Sequence, residues 1–493
     1  MVQHRLNVPQ TRVRVLNQAP VNGASGEYVV YWMIAFRRTG WNFALQRAAW
    51  YAQSLGRPLL VFEPLRVGYQ WASDRHHAFV LQGMADNAAA LKKHDVCYYP
   101  YVEPEHDADK GLLAALLDKA CVLITDDFPA FFLPRMLAAV AKRCPVRMEA
   151  IDSNGLWPMR ATDRIFTVAH SFRRHLHKNI LEHLPHTPLA DPLDGLKLPT
   201  MALPEPIAQC WPQASAELLQ AAPEALATLP IDHSVRPVPH IPGGQQAAQE
   251  RWRRFFEQRL SKYATDRNDP DADISSGLSP HLHFGHIATH QIFAELVAHH
   301  DWSPQDVNPK KVGKREGWWG MPQHTESFLD ELITWREIGF NMCALADEHD
   351  TYQSLPEWAR KTLADHADDD RPHTYTLEQL DGAQTGDEIW NAAQRQLVRE
   401  GRIHNYLRML WGKKILEWSP SPQEALKRLI ELNNKYALDG RDPNSYSGIF
   451  WCLGRYDRAW GPERPIFGKI RFMSSDSTRR KLKLNNYLKR FGR

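Results

Sequence analysis

The chain has 493 residues, 43% of them hydrophobic and 24% charged, which excludes disorder and collagen-like repeats and is more than one compact domain usually holds. No apolar run approaches the roughly 18 residues that span a bilayer, residues 1–26 contain no apolar leader core, and six scattered cysteines form no Cys-x-x-Cys pair, so we expect a soluble intracellular protein that is not secreted, without a disulfide framework or a metal site. The formal charge of +3 conceals an asymmetry: residues 451–493 hold 12 Lys+Arg against Asp457, Glu463 and Asp476, a net +9, which leaves the other 450 residues at −6.

Residues 1–26 read as a flexible N-terminal extension. Four β-rich runs then follow, at 28–36 (YVVYWMIAF), 58–63 (PLLVFE), 96–102 and 121–125, with helical spacing at 42–55, 76–93 and 110–119 between them. Strand–helix alternation predicts a Rossmann-like, doubly wound parallel sheet, an α/β domain over 27–180. No Gly-x-Gly-x-x-Gly follows the first run, so a standard dinucleotide site is not expected there. From Pro185 to Pro242 the chain places 12 of its 34 prolines, which resist helix interiors and central strands, so 181–244 reads as a long surface linker. Beyond residue 245 the pattern is helical almost to residue 493, an all-α domain interrupted at 301–324 by a polar loop containing Gly and Pro.

Within that helical region, 274–287 reads ISSGLSPHLHFGHI. Ser279 suits an N-cap and Pro280 the first helical position, while Ser275, Ser276 and Gly277 offer amides and hydroxyls that either wrap an anion or only cap the helix. A further helix begins near Thr385, with Asp387 and Glu388 in its first turn and Gly401 just past its end. The following one, RIHNYLRMLWGKKILEW, puts Arg408, Trp411, Ile415 and Trp418 on one face, with Trp411 and Trp418 about 10.5 Å apart along the axis. The chain has 17 tryptophans; on an inward helix face they are core packing or something more chemical. Glu331 and Trp335, at i and i+4 in SFLDELITWREIGF, point carboxylate and indole to one side. The basic C-terminal stretch is either a polyanion-binding surface or a solvated tail.

SGLSPHLHFG, IWNAAQRQL and HNYLRM resemble the flavin-domain signatures of the DNA photolyase/cryptochrome family. RMLWGKKILEW, ALDGRDPNSYSGIFW and ERPIFGKIRFM resemble its class II cyclobutane pyrimidine dimer photolyases. The resemblance runs from about residue 27 to the C-terminus. It implies FAD held by the helical domain, fully reduced in the active state, and light-driven repair of double-stranded DNA carrying such dimers. It also implies a monomer without metal or membrane, working in the cytoplasm or nucleoid of a prokaryote or the nucleus of a eukaryote. Reversal of a cyclobutane ring is forbidden thermally but open to a dimer that carries one extra electron, so the cofactor brings the chemistry and the protein positions it.

Residue by residue, the resemblance assigns Tyr263, Ser275, Ser276, Gly277, Leu278, Ser279 and Asn391 to the cofactor. Asp439 pairs with Arg408 beside the isoalloxazine, and Asn433 faces flavin N5. Glu331 becomes a contact to the base edge of the flipped dimer, with a carboxyl pKa raised by burial. Trp335 and Trp451 become walls of the lesion pocket, joined by Tyr375, Asn405, Tyr406 and Met409. Trp390, Trp411 and Trp418 match an electron-transfer chain, and Arg458, Trp460 and Arg471 enter the gap that the flipped lesion leaves. The 37–45 stretch departs from the usual acidic form of the class, 301–324 looks like an insertion whose Trp318–Trp319 pair is a surface patch, a partner site or, the reading we favour, a packed loop, and an antenna chromophore (a deazaflavin or a folate) receives no residues. The rivals are a cryptochrome-like photoreceptor without repair, a lyase for (6–4) photoproducts, which needs pocket histidines, and a nucleotide-binding α/β protein with a helical appendage.

Overall fold

A computed structural model describes residues 5–493. By its contacts the chain forms two compact units. The first comprises 5–161, Glu182–Trp252 and Leu278–Ala298; the second comprises Thr162–Leu181, Arg253–Gly277 and His299–Arg493. These groupings differ from boundaries drawn along the chain at 180 and 245. Arg164 and Phe166 join the helical unit because Asn341 takes the Phe166 N–H and returns its amide to the Arg164 carbonyl. Gly285 and His286 join the α/β unit because Arg38 donates to the Gly285 carbonyl and Gly244 N–H to His286 Nδ1.

The α/β unit is built on a six-stranded sheet: β1 (Val13–Val15), β2 (Tyr28–Trp32), β3 (Leu59–Leu65), β4 (Cys97–Val102), β5 (Ala120–Asp126) and β6 (Met148–Ile151). The order is β1-β6-β5-β2-β3-β4, parallel throughout except for β1, which pairs antiparallel with β6. Strand β2 is buried along its whole length, as expected where helices cover both faces. The helix Phe43–Leu55 shows why the alternation was readable: Asn42 accepts from the amides of Ala44 and Leu45, and Gly56 ends the helix at φ 63°.

Two expectations fail here. Residues 5–26 are not a loose extension, because Leu6 and Val8 are buried and β1 completes the sheet edge. Arg12 is buried too, donating to the carbonyls of Asp152, Gly155 and Leu156. The Pro-rich 181–244 stretch runs over the surface but is not a linker either, because from Glu182 on it belongs to the α/β unit. Its prolines open the short helices Glu205–Cys210 and Pro223–Leu226, and Leu226, Leu229, Val235, Val238 and Ile241 between the prolines all turn inward. Leu226 and Leu229 pack in one apolar cluster with Leu65, Val67, Leu81 and Met84.

The sheet order reverses between β2 and β5, where α/β proteins commonly seat a phosphate. In this chain a protein carboxylate fills that position. Asp126, at the end of β5, accepts the consecutive amides of Ile34, Ala35 and Phe36 at 2.9, 2.7 and 3.0 Å and the Tyr31 hydroxyl at 2.8 Å. The missing glycine fingerprint therefore has a structural counterpart: the anion-binding amides already hold an anion.

The second unit is helical. One long helix runs from Gln323 to Leu345 and widens over Asp330–Trp335 into a π-helical turn. Its last part packs on Pro443–Trp451, and Gly339 permits the approach, since a Cβ there would lie 2.6 Å from Ser447 Oγ and 2.7 Å from the Pro443 carbonyl. Glu388–Glu400 turns at Gly401 (φ 63°) and leads through residues 402–404 into Asn405–Trp418, which in turn packs on Pro422–Tyr436. No helix of the described residues is long and apolar enough to cross a membrane.

Candidate functional site

The densest polar network of the helical unit centres on Arg408, in the second turn of Asn405–Trp418. Its guanidinium donates to Asp439 Oδ2 at 3.2 Å, to Ser445 Oγ at 2.7 Å and to Asn433 Oδ1 at 2.5 Å. The Asn433 amide in turn donates to Ser445 Oγ and to Asn434 Oδ1, both at 3.0 Å. Both of its N–H groups are thus engaged, and what it still offers outward is acceptor capacity on Oδ1. Ser445 and Asn434 escaped sequence reading, although Ser445 lies inside the quoted ALDGRDPNSYSGIFW and Asn434 three residues before it. A Ser or an Asn has no periodic signature, and these act only because three helices converge.

The Ser275–Gly277 turn is partly exposed, and Gly277 has φ +66°. It is steadied by Asp273, which takes a hydrogen bond from Ser275 Oγ and a bidentate pair from Arg402 at 2.9 and 2.7 Å. Burial alone would raise the Asp273 carboxyl, but Arg402 overrides it and holds the pKa down to about 2. The expected cap shifts by one residue: the helix runs Ser279–His283 with Leu278 as its N-cap, so Ser279 and Pro280 are its first two residues, and no side chain caps it. Tyr263 is buried edge-on against Phe255 and Phe328, with Arg267 over its ring. Asn391 is used locally, since its side chain accepts from the Thr385 N–H and hydroxyl and donates to the Thr385 carbonyl. It fixes the turn ahead of its helix and has one donor left for a cofactor.

Glu331 and Trp335 both fall in the π-helical turn, where four residues still bring them to nearly the same side. The Glu331 side chain is 32% exposed and takes a 2.5 Å bond from Arg267. Crowding by protein raises its carboxyl pKa, and the Arg267 charge partly opposes the rise. Arg267 is a site residue that the sequence reading missed; a lone arginine in KYATDRNDP carries no spacing signal.

Trp451 lies in an alternating stack of cations and rings. Lys413 Nζ sits 4.7 Å from the Trp451 ring centre and the Arg471 guanidinium 5.4 Å from it; Arg471 is also 4.0 Å from the Trp460 ring, which Arg458 covers at 4.4 Å. Asp457 ties the stack by accepting from Arg471 and from Trp460 Nε1. Each such contact contributes about 0.5–2 kcal/mol, more as it is desolvated. Asn405 is exposed at the start of its helix and Met409 half-buried one turn on, with Lys481 over the Tyr406 ring at 5.1 Å. Part of the C-terminal positive charge is neutralised within the fold, as Arg479 pairs with Glu388 and Arg490 with Glu400.

The three helix-borne tryptophans form one contiguous path. Trp390 lies parallel to Trp411 at 6.5 Å and edge-on to Trp418 at 5.4 Å, so it bridges two rings that are separated along their own helix. Trp390 Nε1 donates to the Trp411 carbonyl, and Trp411 Nε1 donates to Gln394 Oε1. Tyr375 departs from its expected place among the pocket residues. Its ring meets Trp418 at 5.1 Å, and its hydroxyl accepts the Gly386 N–H, which puts it at the end of the tryptophan path instead.

The donor set fits a flavin dinucleotide. A glycine turn with small hydroxyl residues suits a diphosphate, and a paired arginine beside an asparagine acceptor suits a ring edge bearing N–H and carbonyl groups. Among the described residues no group of His, Cys, Asp and Glu could hold a metal ion.

No protein-family profile matches the chain. Curated relatives do. It is 32% identical to the deoxyribodipyrimidine photo-lyase of Methanothermobacter thermautotrophicus over 480 residues, 97% of each chain. It is 33% identical to that of Oryza sativa subsp. japonica, over 97% of this chain and 90% of the relative. It is 31% identical to that of Potorous tridactylus, over 98% and 84%. Among solved structures the fold resembles a class III photolyase from Agrobacterium tumefaciens (TM-score 0.66, 17% identity, 94% of this chain and 86% of that one). It also resembles a cryptochrome from Synechocystis (TM-score 0.63, 16% identity, 94% and 88%).

Proposed function

The chain belongs to the deoxyribodipyrimidine photo-lyase family, within the photolyase/cryptochrome group, and from that premise we propose that it repairs cyclobutane pyrimidine dimers in double-stranded DNA by a light-dependent carbon–carbon lyase reaction of the class II type. FAD, when bound and fully reduced, supplies on excitation by blue or near-ultraviolet light the electron that lets the dimer's ring open and takes it back afterwards. The rest is the work of the chain. Ser275–Ser279 and Tyr263 hold the dinucleotide, and Arg408 with Asp439, Asn433 and Ser445 orients its ring. Glu331 binds the base edge, where a raised pKa favours a proton that can be shared with a carbonyl gaining negative charge. Trp335 and Trp451 stack on the extruded lesion, and the Arg471–Trp460–Arg458 stack stands in for the lost base-stacking. Trp418, Trp390 and Trp411 offer a route for an electron travelling inward from the protein surface. The protein works as a monomer in whichever compartment holds the DNA.

One observation carries the reading. Arg408 and Lys413 share the helix Asn405–Trp418, while Ser445 and Trp451 share the helix Pro443–Trp451. Arg408 reaches Ser445 and Lys413 covers Trp451, so the cofactor-orienting network and the lesion wall are built on the same helix pair. The test is a light–dark assay on a thymine-dimer oligonucleotide with the flavin reduced, following recovered thymine absorbance. Recovery under blue light alone is the expected result. Retained, photoreducible flavin without recovery would move the protein to the photoreceptors, and failure to retain any flavin would remove the basis of the reading.

A further inference from the structure

Residues 301–324 form a structured loop of the helical unit, organised around a buried carboxylate. Glu326 accepts the Gly317 N–H and the Met321 N–H, the latter at 3.2 Å, with the Gly320 and Trp318 amides also turned toward it. Trp318 lies flat on His177 at 3.9 Å and 10°, and the Gly313 N–H donates to His177 Nδ1 at 3.1 Å. Burial lowers the His177 pKa to about 3, so the ring is neutral and Nδ1 is free to accept. Trp302 Nε1 donates to the Trp319 carbonyl, and both Trp318 and Trp319 are buried. Gly320, at φ +73°, sits where a Cβ would strike the Asp306 carbonyl oxygen. These contacts hold the backbone of the loop in one conformation.

That outward side is basic. Over 308–316, Lys310, Lys311, Lys314 and Arg315 are all exposed with Glu316 as the one acidic residue of that segment, while Asp301 and Asp306 lie earlier in the loop, and none of the four cations forms an ion pair among the described residues. Arg174 and Lys178 are exposed on the adjoining helix Ala169–Asn179, where Arg174 packs against Gly313. No large apolar side chain is exposed among them, which disfavours a protein partner that would need an apolar centre. The loop is anchored to the same continuous helix that carries Glu331, with Glu326 five residues earlier, about 7.5 Å along the axis. Of the four cations, Arg315 is the one whose charge acts on the Glu331 carboxyl.

We propose that residues 308–316, with Arg174 and Lys178, form a phosphate-binding surface that grips the DNA backbone flanking the flipped lesion. The inference rests on the dimer-repair reading of Glu331. A rigid array of unpaired cations gains affinity by releasing the counterions condensed on DNA, without reading sequence. Its rigidity matters, because ordering four flexible basic side chains on a mobile loop would oppose binding.

The experiment compares wild type with Lys310→Ala/Lys311→Ala/Lys314→Ala, which leaves Arg315 beside Glu331 in place. Binding to a dimer-containing duplex is measured as a function of salt, and light-driven repair is measured on a thymine-dimer dinucleotide that has no flanking phosphates. The triple variant should bind the duplex more weakly, with the slope of log Kd against log salt shallower by roughly 1 for each phosphate that is no longer neutralised, so by about 2–3. Its dinucleotide repair should equal that of wild type, which also certifies its folding. A second variant, Lys310→Glu/Lys311→Glu, should weaken duplex binding further. Unchanged affinity and slope overturn the surface while leaving the repair reading intact. Wild-type protein that repairs neither substrate overturns both, and a fall in slope together with failure of dinucleotide repair overturns the surface in favour of a structural role for the loop.

Discussion

Lys413 is fully buried beside the candidate lesion wall, and its ammonium has no carboxylate partner among the described residues. It donates to the Cys452 carbonyl at 2.8 Å and lies over the Trp451 ring. Burial lowers its pKa from 10.5 to about 8. In the unfolded chain the group keeps its ordinary value, so between about pH 8 and 10.5 the unfolded state binds more protons than the folded one, and stability rises with pH across that window. Lys413→Met removes the penalty. At neutral pH the buried ammonium is disfavoured by about 3 kcal/mol relative to water, a net value that already includes the contacts holding it. The pH dependence, rather than the stability at any one pH, is the readout. From pH 7 to pH 10 the wild type should gain about 2–3 kcal/mol relative to Lys413→Met, because every other titrating group is common to both proteins. Paired urea titrations followed by tryptophan fluorescence at several pH values measure that difference. A difference that stays flat from pH 7 to 10 would refute the buried, unpaired ammonium and with it the account of what holds Trp451.

Three further outcomes follow from the same geometry. Trp411→Phe should abolish light-driven reduction of oxidised flavin, while chemically reduced protein still splits dimers; normal photoreduction would sink the path through Trp390. Glu331→Ala should slow repair with flavin retained, and Arg267→Ala, by removing the charge that opposes the raised Glu331 pKa, should shift the Glu331 limb of the repair pH profile to higher pH, as read in a pH–rate series. Gly412→Ala should cost about 1–3 kcal/mol, because its Cβ would press into Cys452 Sγ and come within 3.2 Å of Cys452 Cβ, and a thermal melt no lower than wild type would contradict that packing.

Much of the fold was legible because it rests on local signals. Alternating apolar runs marked β2 to β5, Asn42 and Gly56 bracketed their helix, and Asp387 and Gly401 bracketed theirs. Strand β1 was not legible, since three residues that gain their partner only at Met148–Ile151 have no local signature. Proline counting misjudged 181–244 for a related reason: it reports backbone freedom, whereas burial depends on what the intervening leucines and valines meet.

Motif likeness alone named Arg408, Asp439, Asn433, Glu331, Trp451 and the three tryptophans. Which groups serve them was decided in three dimensions. Ser445 and Asn434 engage the Asn433 amide, Arg267 reaches Glu331 from 64 residues away, Gln394 holds the Trp411 indole, and Trp390 comes from another helix to join two rings that their own helix separates. The same folding moved Tyr375 to Trp418 and turned Trp318 and Trp319 inward, leaving lysines outside. The sequence by itself determined strands β2 to β5, most of the helical pattern and the likeness to a family, because capping, periodicity and motif are properties of neighbouring residues. Only the tertiary structure decided the hydrogen-bond partners, the protonation of buried groups and the cation–ring stack, because each depends on side chains that are distant in the chain and share one low-dielectric space.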